Sequence, residues 1–566
     1  SIRAYRIVID TSQRAPAPTG IFPRYVESDG VGAGSDSSEE RIDARIDKLI
    51  KQKQRELEAA QVQRQKQQGL GRGIISAEVS GYRLVAVGTK VFHSKQWKTF
   101  QDFLRQYVID YCLSREWFNA ERAKPLSARH PIVRWFEQGE EDVKRLGKPA
   151  GELLIGPMTG AQRAFLNLAY NLYLIQHHAE PTQSETLLKS FVNRLKSERT
   201  GDFVGVLFET YAAAAFLKAG FALAYENEAD SRSSHVEFVA TYSPTGRRFS
   251  VEVKARNRSA AEDGPVDDIR RLRVANKLNR ALAKKADHTR IAMIEVNIPD
   301  VPSADVLDGW PKAALSQIRQ AEQVQPPDGS EKPSAYVIVT NHAFHNNLSA
   351  SDIGTQLIAA GCRIPDFGPD VGFSRLKDVL ESEERHKEVF ALIDSMRTHY
   401  EIPSTFDGEN PEFAFGQQTD VPRLQIGKWY LIPTADGTEV PGRLYEAIVI
   451  EENKQVFGVY ETKDSKHLIC TTPLTDTELR AWRRHPDTFF GEVKNVPGGH
   501  LKNWLELAKF MYETYKNTDH ALLLEWMKES PDIANLRGLS QKELAIEYCQ
   551  RAALSGWAAT KPRGAD

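Results

Sequence analysis

Cysteine is scarce in this chain: four in 566 residues, Cys112, Cys362, Cys470 and Cys549. No two are close in sequence. That excludes C-x-x-C redox motifs and cysteine zinc knuckles and suits a reducing cytoplasm where no disulfide is needed. Long apolar runs are missing too. The longest is interrupted by Glu209 and then Lys218, too short for a clean membrane span. The opening residues Ser1-Ile2-Arg3-Ala4-Tyr5 carry no apolar signal-peptide segment. The expectation is a cytoplasmic chain with no membrane partner. Neither charge sign dominates: 74 Lys and Arg against 76 Asp and Glu leave a net charge of −2. Whole-molecule charge therefore favours no nucleic acid. No fixed-period repeat is evident, which argues against a solenoid. A hydrophobic content of 41% and a charged content of 27% are ordinary for a soluble globular protein. The length calls for several domains.

The most informative stretch runs from Gly205 to Arg258. From Phe203 to Leu217 the only group that must be charged at neutral pH is Glu209. A helix apolar all round is buried on most sides, and a buried carboxylate is costly without a partner, a cation or a proton. Two strands follow. In 236–242 the residues Val236, Phe238, Ala240 and Tyr242 share one face, and Glu237 takes the other. In 249–256 the apolar residues again share a face, opposite Glu252, Lys254 and Arg256. Ser243-Pro244-Thr245-Gly246 reads as a four-residue hairpin loop. Counting back from it places Glu237 opposite Glu252, two carboxylates that repel. A divalent cation between them resolves the repulsion, since hard cations take oxygen ligands. Acids around Mg²⁺ (or Mn²⁺) with a lysine beside them form a site for phosphodiester hydrolysis. The bland alternative is a solvated strand face, with Glu209 satisfied by a structural arginine.

The order helix Glu209, Leu217 to Gly220 into a strand, Glu237, then Val251-Glu252-Val253-Lys254 resembles the PD-(D/E)xK nuclease superfamily, closest to its small resolvase-like members. The resemblance covers roughly a third of the chain. It implies a mixed-sheet nuclease core, catalytic residues Glu209, Glu237, Glu252 and Lys254, and a metal held by Glu237, Glu252 and Glu209. The usual first strand acid in that superfamily is Asp. Here it is Glu237, whose extra methylene moves the ligating oxygens. Gly88-Thr89, His93-Ser94-Lys95, Trp97-Lys98-Thr99-Phe100 and His130-Pro131-Ile132 also resemble a bacterial protein family with no assigned activity.

Taken in order, residues 1–72 read as a strand at 3–9, a Pro/Gly/Ser-rich linker and a charged helix from about Glu39 to Gln68. The thin stripe Ile42, Ile46, Ile50 and Leu57 makes that helix a solvated one or an oligomer contact. Residues 73–180 form an α+β accessory domain. Its aromatic stripe Trp97, Phe100, Phe103, Leu104 and Tyr107 suits core more than base stacking. A mostly apolar helix there ends at His177-His178, a pair that suits packing more than metal. Residues 181–348 hold the nuclease-like core: helix, three strands, helix, strand, helix, strand. His342 and His345 follow its last strand and could line a site mouth. A helical connector spans 349–411, a small β-rich unit of SH3-like size 412–475, and helices 476–566.

Between Arg247 and Arg290 stand thirteen Lys and Arg against six Asp and Glu. Arg256, Arg270, Arg271, Arg273, Lys277 and Arg280 in this stretch suit sequence-independent contact with a phosphate backbone as much as a solvated helix face. The overall expectation is an α/β protein that cleaves DNA, or RNA, with a divalent metal. Its partners would be nucleic acid and either a second copy or another protein bound through the N-terminal helix or the C-terminal region. By likeness, its setting would be bacterial repair or antiphage defence. The other reading is a non-catalytic nucleic-acid-binding or assembly protein on a degenerate nuclease core, with Glu237 favouring it.

Overall fold

The computed structural model describes residues 24–25, 39–146, 157–197, 200–225, 236–257, 269, 271–299, 308–324, 329, 331–351, 353–415, 423–434, 437–494 and 503–560. It is a mixed α/β protein. Its contacts divide it into two units, residues 1–63 with 409–496 and residues 64–408 with 497–566.

The larger unit is built on a six-stranded sheet. Its strands are β1 (Phe221–Tyr225), β2 (Phe238–Tyr242), β3 (Arg248–Ala255), β4 (Thr289–Glu295), β5 (Ala335–Asn341) and β6 (Gln356–Cys362), lying in the order β6-β5-β4-β3-β2-β1. The first three form an antiparallel meander, β3, β4 and β5 are parallel, and β6 returns antiparallel. The helices needed here are α1 (Gly160–His178), α2 (Ser184–Leu195), α3 (Thr200–Lys218), α4 (Val274–Leu282) and α5 (Trp310–Gln323). Parallel pairing requires long crossovers, and α4 and α5 lie within the two crossovers here. One sheet face, with Phe249, Val251, Val253, Ile291 and Met293, packs into a large core with α1 and α3. The other face, with Ala292, Ile294, Val337 and Val339, packs against α4 and α5. All seven residues of β5 are buried, which is why Ala335–Val339 is an apolar run rather than an alternating one.

Helix α1 starts at a capping box, Thr159 and Gln162 each accepting from the other's backbone N–H. Its first residue must be small: a Cβ on Gly160 would fall 2.2 Å from the Asn347 carbonyl oxygen. The stripe Phe100, Phe103 and Tyr107 stacks edge-on against Tyr173 of α1, so these aromatics are core. His177 and His178 are structural as well. His177 Nε2 lies 2.9 Å from the Gly73 carbonyl oxygen, and His178 Nε2 accepts the Arg72 N–H at 2.8 Å. Burial pulls both rings down to about 4.

Several expectations are corrected. Residues 356–362, expected in a mainly helical connector, form β6, whose Gly361 lets the chain double back: a Cβ there would meet the Ile364 carbonyl oxygen at 2.3 Å. Residues 75–94 form a three-stranded meander rather than a hairpin. Within the basic helix expected over 267–285, α4 begins only at Val274, because Arg273 before it takes φ 56° and breaks the helical run there. The strand expected at 3–9 lies outside the described residues. Among the described residues no helix is long and apolar enough to cross a membrane, and the four cysteines are free thiols.

In the smaller unit, Arg24–Tyr25 sits at the edge of an antiparallel sheet completed by β7 (Trp429–Pro433), β8 (Glu439–Ile450), β9 (Gln455–Thr462) and β10 (His467–Pro473). The short strand at 24–25 falls within the stretch expected to be linker. A bulge between Leu444 and Glu446 bends β8, and the sheet curls into a half-barrel. Residues 476–484 form a helix packed with this sheet, through Leu479 and Ala481, rather than with the later helices. In the N-terminal helix Glu39–Gln68, Ile50 and Leu57 of the apolar stripe are exposed. Its contacts here are polar, with Glu56 pairing Lys428 at 3.0 Å and Gln52 donating to the Ile426 carbonyl.

Candidate active site

The site begins with a turn. Gly246 N–H donates to the Tyr242 carbonyl at 2.8 Å and Tyr242 N–H to the Arg247 carbonyl at 2.9 Å. Gly246 takes φ 71°, which only glycine adopts freely. This closure fixes the pairing Phe238↔Val251. One residue further out, Glu237 precedes β2 and its N–H donates to the Val251 carbonyl at 3.0 Å. The hairpin therefore has the register read from the sequence, and Glu237 and Glu252 share one end of it.

Both acids meet lysines. Lys254 Nζ lies 3.5 Å from Glu237 Oε1 and forms an ion pair with Glu252. Lys284, two residues past α4, reaches Glu252 Oε1 at 2.9 Å and Glu237 Oε1 at 3.9 Å. The Glu252 side chain is 4% exposed. Both lysines pair with its Oε1, and its Oε2 is buried without a hydrogen-bond partner among the described residues. Burial raises the Glu252 carboxyl above its ordinary range despite the nearby Lys254. Lys254 is pulled down by burial, but the charges of Glu252 and Glu237 outweigh that and hold it above its ordinary value.

Glu209 projects from α3 and its Oε2 pairs with Arg194 Nη2 of α2 at 2.7 Å. Burial, reinforced by the charge of Glu237, pushes its carboxyl up to about 7, against the pull of Arg194 and Lys254. The fold thus brings all four expected site residues into one electrostatic neighbourhood. It does not bring the three acids together as one ligand set: Glu209 is engaged by an arginine. Among the described residues no group of three or more His, Cys, Asp or Glu side chains could hold a metal ion.

The basic residues are spread differently from the sequence reading. Arg271, Arg273 and Arg280 are exposed. Lys277 is half-buried and donates to the Ala255 carbonyl at 2.7 Å; burial and then the neighbouring Arg280 draw it down to about 8. Arg256 is 3% exposed, because the end of β3 is covered there, so it is no surface contact. Arg270 lies outside the described residues.

The sequence reading allowed a structural arginine for Glu209 without placing it at Arg194, and missed Lys284 as a partner of Glu252 and Glu237. It also missed Glu295, at the end of β4. Buried Glu295 accepts from Thr340 Oγ1 at 2.7 Å and from the His342 N–H at 3.0 Å, and sits 2.7 Å from His342 Nδ1. His342 therefore lies inside the protein, 3% exposed, and does not line a site mouth. His345 stacks on Trp135 with ring centres 5.3 Å apart. The missed signal was an acid inside the apolar run Ile291–Val296. No family model, curated protein or solved structure matches this chain.

One prediction concerns Glu209. Arg194 opposes the proton uptake that burial favours, so Arg194→Ala should raise the Glu209 titration above about 7. A raised carboxyl pKa means the folded chain holds this proton where the unfolded chain has lost it. Stability linked to Glu209 is thus full below the ordinary carboxylate range and is lost as pH rises toward 7. Carboxyl carbon NMR across pH 5 to 9 reads the shift, and an unmoved titration would count against the pairing.

Proposed function

We propose that the chain is a divalent-metal-dependent nuclease acting on DNA or RNA. The observation that carries this reading is Glu252: a buried carboxylate facing Glu237 across the hairpin, with Lys254 two residues along and paired to it. The succession α3-β1-β2-β3-α4-β4 supports it, being the element order of a PD-(D/E)xK core. The donor set fits a hard cation, since Mg²⁺ commonly takes one or two carboxylates from a protein and completes its shell with water and substrate phosphate. When bound, Mg²⁺ or Mn²⁺ would stabilise charge on the phosphate oxygens and make water a better nucleophile. Glu237 and Glu252 are the holding residues. Lys254 orients the attacking water and adds positive charge where the phosphate becomes more negative. Glu209, with its carboxyl near 7, is placed to accept or return a proton at neutral pH. Incubating the purified protein with single- and double-stranded DNA and RNA, in Mg²⁺, Mn²⁺ or EDTA, tests this directly. Cleavage that persists in EDTA would sink it.

A second reading has its own observation. Lys254 and Lys284 already neutralise the two facing acids, as they would in a core that binds nucleic acid without cutting it. Calorimetric titration with Mg²⁺ or Mn²⁺ separates the readings, because only the first requires the ion to bind.

The exposed arginines give a further expected result. Reversing Arg271, Arg273 and Arg280 together should weaken nucleic-acid binding and flatten its salt dependence, by a log–log slope of about 1 per lost phosphate contact. Fluorescence anisotropy at several salt concentrations measures both. An unchanged slope would move the contact to the smaller, β-rich unit.

A further inference from the structure

The meander over residues 75–94 leaves one of its faces uncovered. Its strands are Ile75–Val79, Tyr82–Val87 and Lys90–Ser94. The inner face carries Val85 and Val87, both buried, and Phe92, which packs edge-on against Phe103, Tyr107 and Tyr111. The register puts Ile75, Ala86 and Val91 in one row of the outer face and Ala77, Leu84 and His93 in the next, with Val79 and Tyr82 beyond them. Ile75, Val79 and Val91 are each more than half exposed. A solvated sheet face usually carries polar residues, yet these positions hold no acid, lysine or arginine. The edge strand Ile75–Val79 is exposed everywhere except at half-buried Ser76. It has no proline, lysine or bulge, the devices that block pairing at a free edge.

Ser76 and Glu78 of that strand offer free backbone groups. Ser80 and Gly81, at φ 52° and 76°, make the two-residue turn into the next strand. The flanking pair Val79 and Tyr82 is therefore hydrogen-bonded, and alternation makes Ala77 with Leu84 and Ile75 with Ala86 the other bonded pairs. Ser76 and Glu78 turn their N–H and C=O groups outward, to the open edge.

We infer that this edge pairs antiparallel with the same strand of a second copy of the chain, about a two-fold axis at Ala77. The strand is self-complementary about that residue. Ser76 comes opposite the second copy's Glu78, and the outward backbone groups of both residues are satisfied on each side of the axis. Ala77 faces its own equivalent in a non-bonded pair, where Cα atoms approach to about 4.5 Å and a small side chain fits. Ile75 faces the second copy's Val79 on the outer face, so apolar side chains now in water gain cross-strand partners. The charges agree as well: Glu78, held by Arg83 at 2.7 Å, meets a serine. An axis at Glu78 would oppose two carboxylates instead. An axis at Ser76 would set Glu78 against Ile74, which is buried and whose carbonyl already accepts from Arg64. Strands this short bury less than the ~800 Å² per partner of a stable interface. The dimer is therefore reversible, and its population rises with protein concentration.

Sedimentation equilibrium of the full chain over a concentration series should show a monomer–dimer equilibrium. Ser76→Pro removes an outward N–H, which an edge strand tolerates within its own sheet, and takes one hydrogen bond from each side of the axis. The dimer dissociation constant should rise about tenfold or more. Ala77→Lys sets an ammonium from each copy on the axis and should weaken the dimer likewise, less so at high salt. Circular dichroism checks the fold of both variants, and Ala77→Lys, at an exposed position, carries the test if the proline variant misfolds. Ala77→Cys should give a disulfide-linked dimer under mild oxidation, because the facing Cα atoms lie within disulfide range. Glu78→Cys should not, since its equivalent stands a diagonal of about 7–8 Å or more away. Wild type, whose cysteines are free thiols, is the control. A wild type that stays monomeric at every concentration overturns the inference, as do equal linking by the two cysteine variants and folded variants that dimerise like wild type. A dimer lost only in Val91→Lys also overturns it, because that dimer packs by the outer face and not by the edge.

Discussion

Glu252→Gln and Lys254→Ala should each lower phosphodiester cleavage by about 10²- to 10³-fold or more while leaving the fold intact, a loss typical of removing one electrostatic stabiliser of a transition state. The two differ in what else they change. Glu252→Gln removes a negative oxygen from the pair facing the proposed ion, so calorimetric Mg²⁺ or Mn²⁺ affinity should fall with it. Lys254→Ala removes an ammonium that is no ligand and that pairs with Glu252, so metal affinity should hold or rise. Glu237→Asp shortens the side chain to the acid usual in the resembled superfamily, and activity that survives or increases marks a true ligand there. Full activity in Glu252→Gln, after any contaminating nuclease is removed, would end the assignment.

Glu295→Ala should destabilise the larger unit by roughly 3 kcal/mol or more, the range for leaving buried polar partners unpaired. Its carboxylate accepts from Thr340 Oγ1 and from the backbone N–H groups of His342 and, at 3.1 Å, Asn297. It is 5% exposed, so none of those donors gains water in exchange. The network ties the end of β4 to the end of β5, a pair whose alignment also carries β3 through Arg256 N–H to the Glu295 carbonyl at 2.9 Å. Glu295→Gln, which keeps an acceptor oxygen, should cost clearly less. Urea unfolding of the three proteins, read by tryptophan fluorescence, gives the order, and equal midpoints for wild type and Glu295→Ala would refute the role assigned to the carboxylate.

Much of the site was legible because it depends on short-range periodicity. A four-residue turn and strict alternation are enough to align Glu237 with Glu252 and to put Lys254 on the same side. The strand β6 was not legible. Gln356-Leu357-Ile358-Ala359-Ala360-Gly361 has the composition of a helix, and its extended form comes from pairing with β5, a tertiary effect that overrides local preference. Lys284 was hidden among many basic residues near α4, and nothing in its spacing separates it from the exposed Arg280. His342 and Glu295 stand 47 positions apart, and their contact exists only because β4 and β5 lie side by side.

The sequence by itself determined the hairpin register, the buried helix with one acid, and the alternation of helices and strands through the sheet, since each follows from residues within a few positions of one another. The tertiary structure alone decided which charges meet. It gave Glu209 to Arg194 rather than to the other acids, set two lysines against Glu252, and buried Arg256. The physical reason is that an ion pair depends on where distant segments cross, and periodicity sets which way a side chain points along its own element without specifying what stands opposite.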